Sequence, residues 1–217
     1  MLKIITQIKG NHYMNQATKK IAVLSTIPVL AIAMVAVVSS LQASAVATSV
    51  NSTIGSVISV FTSSGTVAVN ATPSAGGVQT IANDVITVST NNAAGYTLKL
   101  AETTASSALV SGGNSILASA GTLAAPIAQA VNTWGYRVDS ATIGGFGATT
   151  TSPVSNAAIG AIKFAGVPAT ASPDTIKVTS ATATNDTTSV FYGVAVNTAT
   201  PSGAYTNSVT YTAVTNP

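Results

Sequence analysis

Asp84, Glu102, Asp139, Asp174 and Asp186 are the only acids in this chain. Two carboxylates facing each other across a cleft can hydrolyse a glycoside, one as acid and the other as base or nucleophile. The spacing of these five selects no pair. The only histidine, His12, lies in the lysine-rich opening segment, and there is no cysteine. Residues 46–217 therefore lack the imidazole and thiol of Ser-His-Asp and Cys-His catalysis. They also lack the histidine and thiolate ligands of zinc and copper sites. No glycine-rich phosphate loop leads into a helical pattern. The composition points to a protein that is not an enzyme, with no catalytic residue, no metal ligand and no cofactor. Loop oxygens at Asp84 and Asp186 have calcium-type chemistry. Turn formation, with Asx side chains bonding the backbone, is the favoured role.

Binding chemistry is the alternative to catalysis. The stretch "NTWGYRVD" (132–139) holds the only Trp, Trp134, and the only Arg, Arg137, beside Tyr136. An aromatic pair next to a cation suits a sugar platform. On a strand, however, side chains alternate between faces. Trp134, Tyr136 and Val138 then share one face, which Val138 marks as buried. Arg137 and Asp139 share the other, as a solvent pair. Phe146, flanked by glycines in "IGGFGA", is a candidate binding tip, with loop anchoring as the other reading. Tyr96, Tyr211 and Trp134 are further candidate contacts for a ligand or partner. Aromatics on alternating strands more often fill the core between sheets, hydroxyl at the rim.

Strands are what must position these residues. "VISVFT" (57–62), "TVAVNA" (66–71), "DVITVST" (84–90), "YTLKLA" (96–101) and "TWGYRVD" (133–139) are rich in β-branched and aromatic residues. "TIKVTS" (175–180), "TSVFYGVAVN" (188–197) and "AYTNSVTYTAV" (204–214) follow. "NNAAG" (91–95) reads as the turn of a hairpin joining two of these runs. In the last run Tyr205, Val209, Tyr211 and Ala213 point one way, and hydroxyl residues point the other. Residues 102–131 form a loop-rich excursion, with a short hairpin or one helical turn near "APIAQAV". Eight to ten strands without a βαβ rhythm predict an all-β protein. The expected architecture is an antiparallel β-sandwich of Greek-key or Ig-like type, one domain over 46–217.

Residues 1–45 read as a secretory signal helix. Lys3, Lys9, Lys19 and Lys20 precede the uncharged run "IAVLSTIPVLAIAMVAVVSS", and Ala43 and Ala45 form an A-x-A site. Met14 is an alternative start to Met1. The run is also long enough to remain as a membrane anchor, so membrane contact is expected only through this segment. Cleavage leaves four bases against five acids, a net charge of −1. With no basic patch, nucleic acid is not an expected partner. The expected location is exported, extracellular or at the cell surface.

Two stretches, "VITVSTNNAAGYTLKLAE" and "PSGAYTNSVTYTAVTNP", together resemble the two signature regions of WxL-type bacterial cell-surface domains. Tyr stands where that family has Trp, at Tyr96-Thr97-Leu98 and Tyr211-Thr212-Ala213. The resemblance implies a non-catalytic, Thr/Ser-rich surface or adhesion protein. Its partners would be peptidoglycan, another surface glycan or surface proteins. The alternative is a structural subunit of a pilus or surface layer, assembled by β-strand addition. Smooth, uncharged strands without edge lysines suit that role.

Overall fold

The computed structural model describes Ser49 and residues 51–139, 143–146 and 151–217. Residues 1–45, read from the sequence as a signal helix, lie outside the described residues. Among the described residues there are twelve strands and no helix, so the fold is all-β. The strands are β1 (Ile58–Thr62), β2 (Val78–Thr90), β3 (Tyr96–Glu102), β4 (Leu109–Ser111), β5 (Asn114–Ala118) and β6 (Ile127–Ala128). They continue as β7 (Thr133–Val138), β8 (Val154–Ala157), β9 (Lys163–Phe164), β10 (Asp174–Val178), β11 (Ala183–Val196) and β12 (Val209–Thr215). Residues Ser52–Pro217 form one compact unit.

The larger sheet runs β1-β2-β11-β7-β5-β4, with β8 also on β2. Its pairings are antiparallel except β5 with β7, which are parallel, so the sheet is mixed. The second sheet runs β10-β3-β12 and is antiparallel. A short pair, β6 with β9, completes the set. No helix forms at "APIAQAV"; that stretch gives β6. The short hairpin is β4–β5, turning at Gly112-Gly113, where Gly112 has φ of 57°.

Both sheets feed one core. Ile86 and Val88 on β2, Trp134, Tyr136 and Val138 on β7, and alternate residues from Val190 on β11 meet Tyr96, Leu98, Leu100 and Ile176 of the smaller sheet. Burying side chains of this size is the main favourable contribution to folding. The far side of β11 is also covered. Phe191 packs with Ile81 and Phe164, and Gln129 donates from Nε2 to Gly193 O at 2.7 Å. That two-sided burial explains why "FYGVAV" reads as a continuous apolar run.

Two sequence expectations change here. "NNAAG" is not a hairpin turn, because β2 and β3 belong to different sheets. Residues 86–90 of β2 already have β1 on one edge and β11 on the other, so no edge is left for β3. The chain instead arches from sheet to sheet, turning Tyr96, Leu98 and Leu100 to face Ile86 and Val88. Gly95 closes the arch with φ of 79°; a Cβ there would sit 2.4 Å from Thr179 O. "TVAVNA", read as a strand, belongs to no sheet. Val67, Val69 and Ala71 do point inward against the core in strand-like alternation.

Candidate functional site

Three hydrogen bonds made by four tyrosine hydroxyls tie the two sheets together. Tyr136 on β7 donates to Asp174 Oδ2 on β10 at 2.6 Å. Tyr96 on β3 donates to Asp186 Oδ2 on β11 at 2.8 Å. Tyr192 on β11 and Tyr211 on β12 share a 2.6 Å hydroxyl–hydroxyl bond. Burial drives all four tyrosines above their ordinary pKa, so they are neutral at physiological pH. Burial also raises the Asp174 carboxyl, opposed by the Tyr136 bond. At Asp186 burial pushes upward too. Bonds from Lys177, at 2.6 Å, and from Tyr96 outweigh it and hold that carboxyl below its usual value.

The remaining acids have separate surroundings. Asp84 Oδ1 accepts bonds from Ser63 N, Ser63 Oγ and Ser64 N. Asp139 faces Arg137, whose Nε donates to Asp139 Oδ1 at 2.6 Å. The expected solvent pair is in fact largely covered: Arg137 is only 2% exposed and Asp139 is half-buried. Alternation placed Arg137 on the face opposite Trp134 correctly. What it missed is that this face is covered. Thr151 bonds both Arg137 and Asp139, and Arg137 Nη1 reaches Lys163 O.

Glu102 is buried at the end of β3, and its Oε1 has no hydrogen-bond partner. Burial raises its pKa. A carboxyl raised in the fold stabilises it most fully below its unfolded pKa. That contribution is lost as pH rises through the folded value. Glu102→Gln should therefore raise stability at pH 7 by about 1 kcal/mol. It should also flatten the decline in stability from mildly acid to neutral pH. Urea unfolding of both proteins across that range checks this, and an unchanged slope would contradict it.

Phe146 is not an exposed tip. It is 4% exposed, packs edge-on against Tyr136 with centroids 5.8 Å apart, and lies under the Arg137 guanidinium at 5.6 Å. Its glycines permit close approach: Gly144 has φ of 71° and Gly145 N bonds Leu123 O. Tyr96 is fully buried and Trp134 is 4% exposed. Trp134 donates from Nε1 to Ser107 O at 2.8 Å and stacks on Tyr192. These three are therefore interior side chains, and Tyr211 is half-buried. Trp134 and Tyr211 come together with residues the sequence reading had not singled out.

Those residues bound a groove of about 880 Å³, a size typical of ligand sites. One wall is the extended stretch through Thr66–Ala71. The other is the approach to β12, residues 200–209. The floor holds Trp134, Tyr192, Val194 and Tyr211, and Asp84 is the only charged side chain among its lining residues. Among the described residues, the amides of Val67, Ala68, Val69, Asn70 and Ala71 make no hydrogen bond. Among the described strands β12 pairs only with β3, while in the approach to it Thr206 is bridged to Val110 through both backbone groups. The groove thus offers unpaired backbone beside an apolar floor. Its sequence signal was the alternation in "TVAVNA", a strand pattern with no partner to complete it. Compared with protein-family models, with curated proteins and with solved structures, the chain finds no match in any of the three.

Proposed function

We propose that this chain is an exported, non-catalytic cell-surface protein that acts by binding, and that its groove takes an extended polypeptide segment by strand addition. The observation that carries this is the extended stretch Val67–Ala71, whose amides have no partner while its apolar side chains are already seated on the core. An added strand would satisfy that backbone, and main-chain bonds would supply affinity. In this proposal the two sheets are the faces of a β-sandwich. Residues 1–45 are a signal removed after Ala45, and the chain is a divergent relative of WxL-type domains.

A second reading is a surface glycan, peptidoglycan included, lying along the same groove. Half-buried Tyr205 and Tyr211 favour it, since tyrosine offers an apolar face with a polar edge. Amide hydrogen exchange across Val67–Ala71 tests both. Exchange in the purified exported protein, diluted until it is monomeric, is compared with that in protein held on intact cells and on purified peptidoglycan. Slowing by tenfold or more on cells and none on peptidoglycan is the expected result. Equal exchange in all three states would sink strand addition, and slowing on peptidoglycan would transfer the site to the glycan.

A further inference from the structure

We infer that the groove's occupant is residues 46–54 of a second copy of this chain, so that copies join head to tail. This rests on the strand-addition reading above and names its partner. Ile54 is 82% exposed and Val57 66% exposed, among the most exposed large aliphatics described. Residues 51–57 pair with no strand. The stretch "VATSVNSTI" has the pattern an inserted strand needs. When it is extended, Val46, Val50 and Ile54 fall on one face, separated by Thr48 and Ser52. An apolar residue alternating with a small hydroxyl residue suits a floor of Trp134, Tyr192 and Val194.

Charge agrees with this. No charged side chain occurs from Val46 to Asn83, so the segment enters without desolvating one. Cleavage after Ala45 would give it a single positive charge, the α-amino group of Val46. The groove's only charged lining side chain is the Asp84 carboxylate. Gly55 O and Val57 N are held by Asn91 at the start of β1. Asp84 and Ser63 lie beyond the other end of that strand. A donor segment at one end of β1 and an acceptor groove beyond the other make a heterologous contact. Such contacts propagate into open chains unless the rotation closes.

The test uses the exported product of the full chain, its N-terminus read by sequencing, in analytical ultracentrifugation over a wide concentration range. The wild type should grow in mass with concentration. Ile54→Asp alters an exposed position, so the fold should persist while the donor strand fails. That variant should sediment as a monomer at concentrations where the wild type has assembled. Mixing it with Val69→Asp, which spoils the groove instead, should give a dimer that grows no further. A synthetic peptide of residues 46–54 in excess should return the wild type to monomers. If the Val69 variant does not fold, the Ile54 variant and the peptide still decide. A wild type that stays monomeric, or an Ile54→Asp protein that assembles like the wild type, would overturn the inference. Should Val67–Ala71 still be protected on cells in that event, strand addition stands and its donor is another protein.

Discussion

Trp134→Ala should lower stability by about 3–5 kcal/mol, the usual range for deleting a buried large aromatic. Trp134 is 4% exposed, stacks on Tyr192 with centroids 6.4 Å apart, and spends its one donor on Ser107 O. Removing the ring opens a cavity in the groove floor at β7 and leaves the Ser107 carbonyl without that donor. Urea unfolding should show an earlier midpoint with the slope unchanged, which marks a stability effect. A variant that keeps wild-type stability would return Trp134 to the role of a ligand platform. Trp134→Phe separates ring from hydrogen bond, and should recover most of the loss if packing dominates.

Asp139→Ala is the second large effect. It takes the carboxylate from a guanidinium that is 2% exposed and bonded to it at 2.6 Å. Breaking a buried pair from one side costs about 3–5 kcal/mol, and because Thr151, the Lys163 carbonyl and the Phe146 ring stay on the guanidinium the loss should fall near the lower end of that range. Replacing both partners behaves differently. Arg137→Met with Asp139→Ala should recover at least half of the single-variant loss, since an apolar side chain can occupy the site without a desolvated charge. Thermal and urea unfolding of the two single variants and the double form the cycle that measures the coupling. Additive losses would mean that the pair contributes nothing beyond its separate contacts.

These two positions also show what could be read from the sequence. Alternation along "TWGYRV" assigned Trp134, Tyr136 and Val138 to one face, and all three lie in the core. The same rule gives a side chain's direction and says nothing of what covers it. Thr151, the Lys163 backbone and the Phe146 ring meet Arg137 from distant parts of the chain. Phe146 was hard to place for the same reason: glycines beside an aromatic suit a free tip or a close-packed anchor equally well.

The candidate groove was half legible. The alternation at Val67 and Val69 marked the wall. Whether an alternating run finds a partner depends on edges contributed tens of residues away, and local pattern carries no such information. The β2–β3 arch is similar. "NNAAG" signals a reversal with a left-handed residue, which serves a hairpin or an arch. The choice fell to β1 and β11, which occupy both edges of β2 over residues 86–90.

The long pairing of β2 with β11 has a consequence for how the chain comes to be folded at all. Val78 pairs with Val196 and Ala183 with Thr90, so the first long strand waits for a partner about a hundred residues downstream, and such non-local pairing is slow. Until the last third of the chain is available, neither sheet can be completed. A polypeptide that must thread a narrow translocation channel as an extended chain gains from this delay. If the chain is exported as proposed, the order of its strands would keep it threadable and defer its folding to the far side of the membrane.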